Sequence, residues 1–221
     1  LESRIVEAYI GEYASGKSEN AVNRALWLMK QGRSVTLVDL DIVEPFYTLR
    51  PIKKKLEAMG LTVLAWESRK TMGLGEAGSI IKPEFRWVLK RTGDLILDVG
   101  YGVEGAKTLN LIHGAYENQY LKIYAIVNVS RPMTSIPEDI VDYIRSLGRV
   151  DGIVNNTHLG SDTDIDVIQN GAKIVDKASQ ILHIPVVFTT AEKKHQSILG
   201  DVDCAGNPVF YIERFMPETF W

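Results

Sequence analysis

The chain has 221 residues, 45% apolar and 24% charged, and a formal net charge of −3. That length suits one large α/β domain over residues 1–221, and the mild acidity argues against a nucleic-acid tract or an anionic membrane surface as partner. One cysteine, Cys204, excludes an intrachain disulfide framework and any metal site built on a cysteine pair within one chain; no apolar run approaches the ~18 residues of a membrane span and no signal peptide is visible, so a cytoplasmic protein is expected.

In chain order, Ile5–Ile10 reads as a first strand and Lys17–Gln31 as a helix that stops at Gly32. Ser34–Leu40 is a nearly continuous β-branched run, the pattern of a buried parallel strand. Ile52–Met59 predicts a short helix closed by Gly60, Leu61–Trp66 a strand, Lys70–Gly78 a Gly-rich loop and Pro83–Lys90 a helix. Strands follow at Asp94–Val99, Lys122–Val129, Val150–Asn155 and Ile184–Thr189, with helices within Pro132–Gly148 and over Asp164–Leu182. Val209–Ile212 reads as a last strand at an edge. Strands alternating with helices imply right-handed βαβ units, hence a doubly wound, mostly parallel sheet with helices on both faces. Ligands in that α/β architecture sit at the carboxyl ends of the strands.

The polar signals gather at those ends. Gly11-Glu12-Tyr13-Ala14-Ser15-Gly16-Lys17-Ser18 is G-x-x-x-x-G-K-[ST] between a strand and a helix. Gly11 and Gly16 let backbone N–H groups turn inward, and the following helix adds unpaired donors and a positive dipole end. Lys17 would reach the β- and γ-phosphates and the Ser18 hydroxyl would take a position on Mg²⁺. Asp39 and Asp41 lie where the second strand runs out, and by alternation they face one side. They are either turn formers or carboxylates that orient water and hold metal-bound waters. Asp98 ends the apolar run L-I-L-D-V, followed by Gly100 and Gly102, as a Mg²⁺-binding strand end would be. Asn155 and Asn156 end another strand, and either could form a turn or pair with a purine edge. Trp27, Trp66 and Trp87 sit in helix or strand patterns and read as core. The tail F-M-P-E-T-F-W reads as a docking segment, and His113, His158, His183 and His195 share no metal-ligand spacing.

Taken together, G-E-Y-A-S-G-K-S, V-D-L-D, D-V-G-Y-G, G-I-V-N-N, I-P-V-V-F and G-N-P-V resemble, in order, the MinD/ParA-like P-loop ATPases (the CobQ/CobB/MinD/ParA nucleotide-binding domain), the deviant-Walker-A group. The resemblance implies phosphate contacts from Tyr13, Ala14, Ser15, Gly16, Lys17, Ser18 and Glu19, with Gly11 opening the loop. It implies catalytic roles for Lys17 and for Asp41, which positions water, and Mg²⁺ held by Ser18, Asp39 and Asp98. Gly102 matches the glycine whose N–H senses the γ-phosphate, Asn156 the asparagine that reads adenine, and the loop after Phe188 completes the base pocket.

Two departures stand out. The family's second P-loop lysine, which reaches a partner's nucleotide across a dimer, falls at Glu12; a carboxylate there would repel phosphates. Gly100-Tyr101 replaces the usual prolines of the switch. The chain lacks a basic amphipathic C-terminal helix, the cysteine pairs of metal-centre relatives and the basic patches of DNA-partitioning ones; Lys53-Lys54-Lys55 and Lys193-Lys194-His195 read as solvated faces. The implied protein binds ATP (or ADP) and Mg²⁺ as a switch with weak ATPase activity, acting through a protein partner or homodimer, without membrane or nucleic acid. The alternatives are a small-molecule ligase or kinase of the cobyric-acid/dethiobiotin synthetase type, with Arg50, Arg69 and Lys70 as its anion clamp, and a nucleotide-binding module without turnover.

Overall fold

A computed structural model describes residues 3–41, 49–65 and 82–216; Trp66, Arg69, the expected loop Lys70–Gly78 and the tail beyond Met216 lie outside them. Eight strands form one sheet: β1 (Val6–Gly11), β2 (Val35–Leu40), β3 (Thr62–Leu64), β4 (Asp94–Val99), β5 (Leu121–Val127), β6 (Gly152–Asn155), β7 (Val186–Glu192) and β8 (Val209–Ile212). Their order is β3-β2-β4-β1-β5-β6-β7-β8, and every neighbouring pair is parallel. β1, β2 and β4 are buried along their whole length, which is why they are mostly apolar on both faces rather than alternating.

The helices are α1 (Lys17–Lys30), α2 (Lys53–Ala58), α3 (Pro83–Arg86), α4 (Gly102–Lys107), α5 (Pro137–Leu147), α6 (Ile165–Leu182) and α7 (Gln196–Leu199). Residue parity sorts the strand side chains onto two faces. Tyr9, Leu37, Ile96, Ile126 and Val154 pack with Ala21, Val22, Ala25, Leu26 and Leu28 of α1 and with Leu56 of α2. Ala8, Ile10, Val38, Leu97 and Ile123 pack on the other face with α4, α5 and α6. The result is a helix–sheet–helix sandwich whose chain reverses direction of growth around β1.

Boundaries shift by a few residues from the sequence expectation. β7 runs on to Glu192, three residues past Thr189, and α4 has no counterpart in the sequence reading. Two of the tryptophans expected in the core are partly exposed: Trp27 is 43% exposed and Trp87 38%. Each rests under cations instead, Arg24 lying 5.0 Å from the Trp27 ring and Lys90 4.1 Å from the Trp87 ring. An amphipathic ring at a half-covered position gains from a cation over its face, and helical spacing alone does not separate that from burial.

Candidate functional site

β1 ends at Gly11, where an added Cβ would stand 2.5 Å from the Ile126 carbonyl oxygen, so only glycine lets β1 leave the sheet here. The chain then curls through Glu12, Tyr13, Ala14 and Ser15 to Gly16, with the Ser15 N–H donating to the Glu12 carbonyl at 3.2 Å. Ala14 takes φ 52° and Gly16 φ 90°, left-handed conformations on either side of Ser15 of the kind an anion nest uses. Gly16 is the N-cap of α1 and supplies no side-chain cap. Among the described helices only α6 has a side-chain cap, Asp164, whose carboxylate accepts the Val167 N–H at 2.8 Å; α2, α3, α4, α5 and α7 lack one as α1 does. The first turn of α1 is thus left without a side-chain cap at the mouth of the loop.

The loop is braced from outside. The Asn156 amide donates to the Ser15 carbonyl oxygen at 2.6 Å and fills the space beside Gly16, where a Cβ would meet its nitrogen at 2.1 Å. Asn20 donates to the Gly16 carbonyl oxygen at 3.0 Å, and its own oxygen accepts the Thr190 hydroxyl at 2.6 Å. Lys17 curls back so that Nζ donates to the Glu12 carbonyl oxygen at 2.9 Å. Burial lowers the Lys17 pKa, opposed by the charges of Asp98, Asp41 and Glu12.

Asp39 and Asp98 are register partners on β2 and β4, so their side chains stand next to each other on the α1 face, below Lys17. Both are buried, at 0% and 1% exposure. Neither oxygen of Asp98 has a hydrogen-bond partner of good geometry among the described residues, although the Ser18 hydroxyl approaches closely enough to lower its pKa. Burial and the neighbouring Asp39 charge outweigh that and push Asp98 up to about 8. One Asp39 oxygen accepts the Asp41 N–H at 3.0 Å. Asp41 acts electrostatically on both Lys17 and Asp98, and lies close to Gly100. Gly102 opens α4 with φ 68° and open space around it, and Tyr101 before it packs edge-on against Tyr13, the rings 5.3 Å apart.

Two adjacent buried carboxylates beside a serine hydroxyl are a donor set that a hard cation suits, and Mg²⁺ is bound by one or two carboxylates completed by phosphate and water rather than by a protein cage. Consistently, no group of three His, Cys, Asp or Glu among the described residues could hold a metal by itself. Ser18, Asp39 and Asp98 fit Mg²⁺, and the nest from Tyr13 to Ser18 fits a phosphate.

The structure thus brings together Lys17, Ser18, Asp39, Asp41 and Asp98 beneath the loop. Glu19 points elsewhere: its carboxylate accepts the backbone N–H of Phe215 and, at 2.9 Å, of Met216. That leaves only its backbone for phosphate. Asn156 spends one amide N–H on the loop, so its oxygen and its second N–H are what remain for a base. Glu12 finds its partners in the segment after β5: the Thr134 hydroxyl at the long distance of 3.5 Å, the Met133 N–H and the Arg131 charge, while burial raises its pKa. The sequence reading missed Asn20 and Thr134, which contact Gly16 and Glu12 of the loop, Thr190 and Asn128, which hold those two residues, and Arg131 and His158 beside them; no local motif marks them.

Solved structures share this architecture. The chain is similar to the cell division protein FtsY from Thermotoga maritima, with TM-score 0.59 and 16% identity over 87% of this chain and 63% of that one. It is similar to the Signal Recognition Particle 54 kDa protein from Aeropyrum pernix K1 in complex with GDP, with TM-score 0.55 and 15% identity over 85% and 41% of the two chains. FlhF complexed with GTP/Mg²⁺ follows at TM-score 0.50 and 8% identity, over 84% and 64%. The chain therefore spans less than two thirds of the length of each. No protein-family model matches the chain, and no curated protein matches it by sequence. The class these likenesses define is the P-loop NTPase α/β fold, which is broader than the MinD/ParA group that the motifs resemble.

Proposed function

We propose that the protein is a Mg²⁺-dependent nucleoside-triphosphate switch of the P-loop class with slow hydrolysis. On the motif resemblance it is of MinD/ParA type, uses ATP, occupies the cytoplasm as one domain, and works through a protein partner or a homodimer. One observation carries the reading: an uncapped helix N-terminus on Gly16, joined to a nest of inward N–H groups, opens directly above two register-paired buried carboxylates. Neither feature stabilises the fold by itself; two adjacent buried carboxylates cost free energy unless a proton or cation neutralises them.

In this reading the backbone from Tyr13 to Glu19 and Lys17 hold the phosphate chain, while Ser18, Asp39 and Asp98 would hold Mg²⁺, which would supply charge neutralisation. Asp41 orients a water. The water oxygen bonds to the γ-phosphorus, and the bond to the bridging oxygen breaks with its electron pair passing to the diphosphate. The water proton leaves to solvent. Gly102 N–H senses the γ-phosphate, and because Tyr101 packs on Tyr13, that signal passes between the turn after β4 and the phosphate loop.

FlhF complexed with GTP/Mg²⁺ and the 54 kDa protein in complex with GDP are guanine-nucleotide complexes, whereas the Asn156 resemblance favours adenine, so ATP and GTP are to be compared directly. Single-turnover phosphate release by wild type and Asp41→Asn tests the chemistry. Asp41→Asn is expected to slow release at least about tenfold while binding changes little, because water positioning matters mainly in the transition state. Equal rates for the two proteins would remove Asp41 from that role, and an absence of release from wild type would leave a binding module.

A further inference from the structure

We propose that Arg131 is a phosphate-binding residue of this site, its guanidinium donating to the terminal phosphoryl group of a nucleoside triphosphate held in the loop. The proposal rests on the P-loop reading above and adds to it a residue from outside the motif.

Three observations carry it. The first is placement. β5 runs beside β1 with Gly11 opposite Ile126, so the segment leaving β5 emerges next to the phosphate loop, and Thr134 in that segment contacts the Glu12 carboxylate. The second is rigidity. Asn128, fully buried, accepts the N–H groups of Ser130 at 3.0 Å and His158 at 3.2 Å, and its amide donates to the His158 carbonyl oxygen at 3.2 Å. Its own carbonyl oxygen accepts the Arg131 N–H at 3.0 Å and the Thr134 hydroxyl at 2.8 Å. One buried amide therefore stitches the exits of β5 and β6 and fixes the Arg131 backbone. The third is an unfinished side chain. Arg131 is half-buried, and its Nε is covered and has no hydrogen-bond partner among the described residues, a cost that this donor carries until an acceptor arrives.

Arg131 brackets the loop. Its charge acts on Glu12 at one end and on His158 at the other, and His158 Nε2 lies 3.7 Å from where a Gly16 Cβ would be. A second cation suits the site, because Lys17 faces the carboxylates of Asp98, Asp41 and Glu12, and a polyphosphate brings further negative charge. A planar fork matches phosphoryl oxygens in pairs, which an ammonium does not.

The test measures affinity for ADP, GDP and their non-hydrolysable triphosphate analogues with Mg²⁺, together with single-turnover phosphate release, for wild type, Arg131→Ala and Arg131→Lys. Arg131→Ala is expected to keep diphosphate affinity and to lose triphosphate affinity and release rate by about tenfold or more, with partial recovery in Arg131→Lys. If Arg131 only neutralised Glu12, Glu12→Gln would abolish the effect of Arg131→Ala; the proposal expects the loss to persist in the double variant. Suppression by Glu12→Gln, or unchanged triphosphate affinity and rate in Arg131→Ala, would overturn it. A wild-type protein that binds no nucleotide would overturn the P-loop reading itself, and this proposal with it.

Discussion

Asp98 and Asp39 place two carboxylates side by side in the interior, at a cost to stability. A carboxylate in the unfolded chain titrates near 4, whereas burial and the Asp39 charge raise Asp98 in the folded protein to about 8. Between those values the folded state holds a proton that the unfolded state has lost, so stability in the absence of metal should fall as pH rises from about 4 to about 8. Asp98→Asn, nearly isosteric and uncharged, should flatten that slope and be more stable than wild type at the upper end. Urea unfolding of the two proteins at several pH values reads this; parallel curves would mean that Asp98 is ionised in the folded state throughout. The position of both aspartates was legible in the sequence, since each closes an apolar strand. Their register pairing was not, because nothing local in either strand says which strands are neighbours.

At the scale of elements, α1 joins the phosphate loop to the end of the described chain. Asn23 donates to the Glu213 carbonyl oxygen at 2.8 Å and accepts the Glu213 N–H at 2.9 Å, Glu19 holds the next turn of backbone, and Phe215 and Met216 pack onto the α1 face. Asn23→Ala removes both Asn23 partners from a backbone segment and should cost about 1–3 kcal/mol, seen as a lower urea midpoint, while nucleotide affinity stays near wild type because no phosphate contact is touched. A wild-type midpoint would show that the strap contributes nothing. After β4 the chain turns so tightly that a Cβ on Gly105 would stand 2.0 Å from the Gly100 carbonyl oxygen. Gly105→Ala should therefore displace α4 or destabilise the fold by about 3 kcal/mol; a wild-type melting profile would contradict the close approach. That helix escaped the sequence reading for the same reason it packs so closely, since Gly102-Val103-Glu104-Gly105 is poor in helix formers. Helices α1 and α6 were readable from apolar periodicity, and Asp164 announced the start of α6.

For the whole molecule, the alternation of β-branched runs with helical patterns was enough to read the doubly wound sheet, and the motif order puts the proposed site at its carboxyl edge. What local signals could not show is how far-separated positions converge on the phosphate loop. Asn20 is held by Thr190, Ser15 by Asn156 and Glu12 by Thr134, each a contact that exists only after the sheet order β4-β1-β5-β6-β7 is set. Glu12 shows the consequence. Read as a lone carboxylate in a phosphate loop it is repulsive, whereas in the fold it belongs to the segment after β5. The central claim, that this edge binds a nucleotide through the Gly11–Ser18 loop, is tested most directly by calorimetric titration of ATP and GTP with Mg²⁺ into wild type and Lys17→Ala, with circular dichroism of both. Saturable binding by wild type that disappears in a normally folded Lys17→Ala is the predicted result; equal binding by the two proteins, or none by wild type, would contradict it.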